Sequence, residues 1–192
     1  MKKKSIWQEI LDRGIWVLIF LIGLVLSQLP LILSALLSAR QFPLLQSGLL
    51  VALLSVAILT VFIFSARKTE IANFNLSFFK AKDLARLVLS YLVIFTSNLF
   101  GSALLRLMNE STTSNQSTIN NLVQNSSLIS SFFLLVLIAP ICEEILCRGI
   151  IPKKIFRGKE KLGYLVGAVV FALLHTPTNL PSLLIYGGMS TV

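Results

Sequence analysis

Long, uninterrupted apolar runs restrict the possible folds of this chain more than any other feature. A helix needs about 20 mostly apolar residues to cross a hydrocarbon core of roughly 30 Å. Only helices and closed barrels satisfy their backbone groups within a bilayer. We therefore predict an all-α, polytopic integral membrane protein with about five to six hydrophobic helices. Four runs have the required length and two shorter ones follow: Ile15 to Leu37, Leu44 to Phe64, Leu84 to Leu107, Leu128 to Ile151, then Leu162 to Leu174 and Leu180 to Val192.

The charged residues support this interpretation by their scarcity and their placement. They make up 13% of the chain, whereas a soluble domain carries about 25%. A net charge of +9 would suit a nucleic-acid-binding protein, but most of the 17 Lys and Arg residues stand between the apolar runs. We expect the lipid bilayer, and no nucleic acid, as the partner of these residues.

Basic residues in alternate connections predict the orientation, because cytoplasmic loops carry an excess of Lys and Arg. Lys2 to Lys4 open the chain, and the connections at 65 to 83 and 152 to 161 hold most of the others. The connection from Asn109 to Ser127 is rich in Ser, Thr and Asn and contains neither Lys nor Arg. We predict a multi-pass protein of the cell membrane, with a cytoplasmic N-terminus and a solvated, mobile loop at 109 to 127 outside.

Two acidic residues and an arginine interrupt the fourth apolar run. A charged residue at the centre of a membrane helix costs roughly 2.5 to 3.5 kcal/mol, so such residues are functional-site candidates. Glu144 and Arg148 are spaced i, i+4 with the acid first, which favours an ion pair. Glu143 points about 100° away around the helix, where it could bind water and accept a proton. Pro140 should open the helix locally. The alternative interpretation is a polar clamp between helices.

His175 is the single histidine of the chain and follows an apolar stretch. A lone histidine at a helix end is more often a hydrogen-bonded interfacial residue than a catalytic one. If the ring faces the glutamates, however, a neutral imidazole could share a water with Glu143 and complete a minimal hydrolytic unit.

Cys142 and Cys147 stand in an apolar stretch and are predicted to pack as hydrophobic side chains.

Two motifs carry a resemblance to a known family. Ala139-Pro-Ile-Cys-Glu-Glu-Ile-Leu-Cys-Arg-Gly149 resembles a Glu-Glu-x-x-x-Arg motif with flanking Pro and Gly, and Phe171-Ala-Leu-Leu-His175 resembles a Phe-x-x-x-His motif. In their order and spacing they are similar to the CAAX protease and bacteriocin-processing family, also called Abi or type II CAAX prenyl endopeptidase-like proteins. The resemblance covers about 135 to 190, and the earlier part agrees in hydropathy alone.

The resemblance implies an intramembrane endopeptidase that hydrolyses peptide bonds of membrane-associated peptide or protein substrates. It places Glu143 and His175 at the water-activating positions, and Glu144 and Arg148 at the supporting positions. It divides the chain into N-terminal membrane helices and loops at 1–127 and a partial core of the family at 128–192. Small bacterial members are associated with bacteriocin maturation or self-immunity, and this short, basic chain is similar to them.

The sequence departs from the family pattern near its C-terminal end. The family's third motif, His-x-x-x-Asn or His-x-x-x-Asp, has no counterpart, and the run from Leu180 to Val192 is too short to cross a membrane. The pattern predicts a C-terminally truncated member without oxyanion donors, whose loss typically lowers rates by about 10² to 10³. Family members have been described as metalloproteases, and Glu143, Glu144 and His175 could supply ligands. A single histidine falls short of the usual zinc set, so we expect no required cofactor, with a divalent metal such as zinc as the open alternative.

Two other functions compete with proteolysis. A non-catalytic immunity or binding protein would keep the motif as a structural clamp, and the lack of a third motif favours it. A transporter or proton pathway also uses intramembrane Glu and His, but the sequence has neither duplicated halves nor paired, broken helices. The substrate and the oligomeric state are not predicted by these patterns.

Overall fold

The structure, a computed structural model, describes residues 5–72 and 80–190, and at 81 the backbone alone. Lys2 to Lys4, positions 73–79 of the first basic connection and Thr191-Val192 lie outside the described residues. Within the described part, the regular secondary structure is helical throughout. Its seven helices are α1 Ile6–Ala39, α2 Leu44–Lys68, α3 Ala81–Leu107, α4 Ser114–Asn125, α5 Leu128–Ile155, α6 Glu160–Leu174 and α7 Leu180–Ser190.

Four of these helices, α1, α2, α3 and α5, are long and apolar enough to cross a membrane. Each contains one of the four long runs of the sequence, so the prediction of an all-α, polytopic membrane fold is confirmed. The two shorter runs form α6 with 15 residues and α7 with 11. Both are shorter than the roughly 20 residues that a straight crossing requires.

The connection from Asn109 to Ser127, expected to be a loop, contains the 12-residue helix α4. The Thr113 hydroxyl caps its beginning by accepting a hydrogen bond from the Gln116 amide at 3.1 Å. Gln116 in turn donates to the Asn120 side chain, one turn later, at 2.9 Å. These bonds offset the low helix propensity of Ser, Thr and Asn, so the prediction of a loop was wrong for Ser114–Asn125. No residue of α4 is buried, as a polar segment requires.

The chain packs as two compact units. The first comprises Met1–Ala72 and Leu122–Val166, and the second comprises Asn73–Asn121 and Gly167–Val192. The division of the chain at residue 127 was made from the positions of the motifs and does not concern packing. It stays a prediction.

In the first unit, α1 runs antiparallel to α2 and α5. At one end, Ser38 of α1 donates a hydrogen bond to the carbonyl of Asn125, just before α5, at 3.1 Å. At the opposite end, Arg157 beyond α5 pairs with Asp12 of α1 at 2.9 Å. The beginning of α1 and the end of α5 therefore meet at the same end of this unit.

The two ends of the first unit differ in charge. At the end where α1 begins, called here the basic end, Lys153 donates to the carbonyl of Ile71 and Lys154 lies over the ring of Trp16. At the other end, the described residues of this unit contain one basic side chain, Arg40. The basic end holds Arg13, Arg67, Lys68, Lys153, Lys154, Arg157, Lys159 and Lys161.

In the second unit, α3 and α7 pack closely because glycines on each helix let the other approach. A Cβ at Gly101 would collide with Ile185, and a Cβ at Gly188 would collide with Ser97. The buried cluster beside this contact includes Tyr186 of α7, which positions part of the candidate site. Its members are Leu105, Ala172, Ile185 and Tyr186, with Met189 packed against them.

Candidate active site

The helix that carries the acidic motif is not a regular α-helix. Short α-helical segments at Leu128–Phe132 and Ala139–Glu143 alternate with π-helical segments at Phe133–Ile138 and Glu144–Ile155. Pro140 lies at the first turn of the second α segment, where its missing N–H prevents a continuous α-helical ladder. The local opening expected at Pro140 thus takes the form of i→i+5 hydrogen bonding, a rare geometry that occurs frequently at functional sites.

Glu144 and Arg148 form the ion pair that their spacing predicted. The Arg148 Nη1 to Glu144 Oε1 distance is 3.0 Å, and the side chains are 29% and 54% exposed respectively. Glu144 stands 16 residues after the start of the 28-residue helix, which places it near the middle of the span. In water such an exposed pair would contribute at most about 1 kcal/mol. At membrane depth the pair matters more, because either charge alone faces hydrocarbon.

Glu143 ends the α segment that precedes this pair, and its side chain is half-buried. Its neighbour Cys142 and the later Cys147 are each only 1% exposed. The prediction that both cysteines pack as core side chains is therefore confirmed. Glu143 stands between this buried face and the exposed face of Glu144, so its side chain is partly withdrawn from the surface of the helix.

His175 belongs to the second unit and follows directly on the last residue of α6. The helix ends here because Thr176 adopts a left-handed conformation with φ of 46°, and its amide donates to the carbonyl of Leu173 at 3.0 Å. The His175 Nδ1 atom lies 2.9 Å from the carbonyl oxygen of Phe171. A carbonyl only accepts hydrogen bonds, so Nδ1 carries the proton of the neutral ring. The other ring nitrogen, Nε2, is then the acceptor, as a water-binding base requires.

Aromatic contacts fix the plane of the His175 ring. The ring centroids of Phe171 and Tyr186 lie 4.5 Å and 4.8 Å from that of His175, and the Tyr186 ring stacks on it. The Tyr186 hydroxyl bonds to the Thr113 hydroxyl at 2.6 Å, in the buried interior of the unit. The motif spacing Phe-x-x-x-His explains the Phe171 contact, since residues i and i+4 adjoin on a helix. Nothing in the sequence pattern pointed to Tyr186 or Thr113, which reach His175 only through tertiary packing.

The structure thus brings Glu143, Glu144 and Arg148 together on one helix of the first unit and surrounds His175 with its own partners in the second. The sharing of one water between Glu143 and His175 stays a prediction. Among the described residues of either unit, no group of three or more His, Cys, Asp or Glu side chains is placed to hold a metal ion.

The comparisons with known proteins agree with the motifs. Residues 125–192 match the family model described as Type II CAAX prenyl endopeptidase Rce1-like, so the predicted resemblance is confirmed. Over 182 residues the chain is 25% identical to the protein described as UPF0177 protein YvdC of Lactococcus lactis subsp. lactis (strain IL1403), an alignment that covers 94% of this chain and 67% of that protein. No solved structure matches the chain significantly.

Proposed function

We propose that this chain, whose residues 125–192 match the Rce1-like family of type II CAAX prenyl endopeptidases, hydrolyses peptide bonds of membrane-associated substrates. Membrane proteolysis of the CAAX-protease type is the activity of the family. For this chain, the observation that carries the proposal is the Glu143, Glu144 and Arg148 group, which stands where an α-helical segment of a membrane span passes into a π-helical one. Placing such charged side chains in a bilayer costs free energy, so charged residues in a membrane span usually serve a function.

In the proposed mechanism, Glu143 is the general base. Its carboxylate removes a proton from a water molecule while the water oxygen attacks the carbonyl carbon of the scissile peptide bond. His175 accepts a hydrogen bond from that water at Nε2, because its Nδ1 proton is held by the Phe171 carbonyl. Glu143 then delivers the proton to the departing amide nitrogen as the C–N bond breaks. The products are a new carboxyl group and a new amine.

Glu144 and Arg148 support this step without joining it. Their ion pair holds a charge of each sign within the helical turn that follows Glu143. Supporting pairs of this kind position a catalytic group within the small tolerance that catalysis demands.

We propose an orientation with the basic end of the first unit in the cytoplasm of a cell membrane. The clustering of basic side chains at that end supports it, since such residues mark the cytoplasmic side. We further propose small membrane-active peptides as substrates, in bacteriocin maturation or self-immunity. That role rests on the similarity to small bacterial members of the family.

The test is hydrolysis in heavy-oxygen water. The 192-residue chain is reconstituted in liposomes with a library of membrane peptides, and the fragments are analysed by mass spectrometry. We expect fragments whose new C-terminal carboxyl group carries heavy oxygen from the solvent, and none with empty liposomes. Tight binding of peptides without any such fragment would contradict the proposal and favour the non-catalytic immunity or binding protein.

A further inference from the structure

We propose that the first unit binds one anionic phospholipid, with an acyl chain in a cavity between α1, α2 and α5 and the phosphate group at Lys154. The cavity lies on a different face of α5 from the Glu144 and Arg148 pair, and the proposal does not depend on the proposed function.

The cavity has a volume of 280 Å³ and lies among apolar side chains of all three helices. Its polar lining is restricted to a few side chains near the basic end, among them Ser65 and Thr69. Its volume is close to the lower limit of about 300 Å³ for ligand pockets in proteins. A peptide chain would lose its hydrogen-bond partners in such a lining, at a cost of about 1 to 3 kcal/mol for each unpaired group. A hydrocarbon chain has no such groups to satisfy.

Apolar residues of α5 line the cavity. They come from the part of α5 that also carries the ion pair, but they lie on another face of the helix. Leu146 and Ile150 line the cavity and are 1% and 5% exposed. Glu144, by contrast, is 54% exposed. An occupant of the cavity therefore contacts the side of α5 that faces α1 and α2, away from the Glu144 and Arg148 pair.

Two cations adjoin residues that line the cavity. The Lys154 ammonium lies 5.4 Å from the ring centroid of Trp16, and the Lys153 ammonium donates to the carbonyl of Ile71. Both Trp16 and Ile71 belong to the cavity lining. An ammonium has three donors, so Lys153 keeps further donors beyond the bond to Ile71. The position of positive charge at the mouth of a hydrocarbon-lined cavity matches a molecule with an anionic head and an apolar tail.

This charge pattern selects an anionic lipid over a neutral one. Basic residues near the membrane surface each contribute about 1 kcal/mol to the attraction of anionic lipids. The same cations offer little net attraction to a zwitterionic head group, in which the phosphate is balanced by an attached cation. Trp16 adds an amphipathic ring at the boundary between head group and tail, a position that tryptophan favours.

The test measures lipid binding to the full chain in neutral detergent. Phosphatidylglycerol and phosphatidylcholine with identical acyl chains are titrated separately, and the bound lipid is counted by native mass spectrometry. We expect tighter binding of phosphatidylglycerol. Lys154→Ala should weaken it about fivefold, and Lys154→Arg should restore part of the loss. Lys159→Ala is the matched control, because it removes the same charge from an exposed position of the basic end while the Lys154 contact with Trp16 stays in place, and it should leave binding unchanged.

A second pair of variants tests the tail. Ser65→Phe places a large ring in the cavity and should reduce phosphatidylglycerol binding at least tenfold. Val56→Phe, at an exposed position of the same helix that does not line the cavity, should not. Equal binding of the two lipids, or no loss in both Lys154→Ala and Ser65→Phe, would overturn the proposal. So would displacement of phosphatidylglycerol by farnesol to the same extent in wild type and Lys154→Ala, because the cavity would then serve a hydrocarbon without regard to charge.

Discussion

The surroundings of His175 determine which of its nitrogens can act. The Phe171 carbonyl accepts the Nδ1 proton at 2.9 Å, and the stacked Tyr186 ring holds the imidazole plane. These contacts prepare Nε2 as an acceptor before any substrate arrives. Preorganisation of this kind lowers the cost of reaching the transition state.

Tyr186→Phe tests this arrangement, because it keeps the stacked ring and removes only the hydroxyl that bonds to Thr113. We expect a loss of peptide cleavage of a few fold, since the ring can then shift by a small distance. His175→Ala should cost about 10² or more, as expected for loss of a catalytic group. Cleavage rates in liposomes check both variants. Equal losses in Tyr186→Phe and His175→Ala would contradict this division of roles.

The Glu144 and Arg148 pair gives a second residue-scale prediction. Glu144→Gln or Arg148→Met leaves the other charge without its partner at membrane depth, which should lower the level of protein in the membrane. The double variant should accumulate better than either single variant, because both charges are then removed. Immunoblots of membrane fractions measure the levels. Defects that simply add in the double variant would show that the pair is not a unit.

At the scale of elements, π-helical segments flank the short α-helical segment that begins at Pro140, and the second of them also contains Pro152. Pro140→Ala restores a backbone donor and lets the α-helical ladder close across the interruption, which favours a regular helix by up to about 3 kcal/mol. We expect higher thermal stability and lower cleavage activity, because the turn that carries Glu143 then rotates. Circular dichroism melting and the cleavage assay check this. A more stable protein with full activity would contradict a role for the π-helical segments.

The contact between α3 and α7 offers a matched pair of glycines. Gly188→Ala places a methyl group against Ser97 and should destabilise the protein by roughly 1 to 3 kcal/mol through overpacking. Gly187→Ala meets no atom within 4 Å and should stabilise the helix by about 0.5 to 1 kcal/mol. Thermal melting in detergent measures both. A loss of stability at Gly187 as large as that at Gly188 would refute the close approach of the two helices.

At the scale of the whole molecule, the orientation can be tested within the first unit. With Cys142 and Cys147 replaced by Ala, Gln124→Cys should react with an impermeant thiol reagent added to intact cells. Lys159→Cys should react only after the cells are opened, because it lies at the basic end. Both positions are exposed. The reverse pattern of labelling would place the N-terminus outside.

The extent to which the sequence predicts the molecule depends on the range of the interaction concerned. Apolar runs and the Glu144 to Arg148 spacing are local signals, and the structure contains the expected spans and ion pair. The π-helical segments were not predicted, because hydropathy and residue spacing do not indicate whether a backbone amide donates its hydrogen bond to the carbonyl four or five residues earlier. Helix α4 was missed because the low helix propensity of Ser, Thr and Asn outweighed its local cap and its Gln116 to Asn120 bond in the prediction. The Tyr186 contacts with His175 and Thr113 arise from tertiary packing, across 11 and 73 residues respectively.

The central claim is that Glu143 acts as the general base of a membrane endopeptidase, and the most direct measurement is the cleavage rate of Glu143→Gln in liposomes. Glutamine keeps the size of the side chain but cannot take a proton, so the rate should fall by at least about 10² while folding and insertion are unchanged. Glu160→Gln is the matched control, since its exposed carboxylate accepts a bond from the Gly158 amide outside the motif, and it should retain the wild-type rate. Cleavage by Glu143→Gln at the rate of the control would contradict the account.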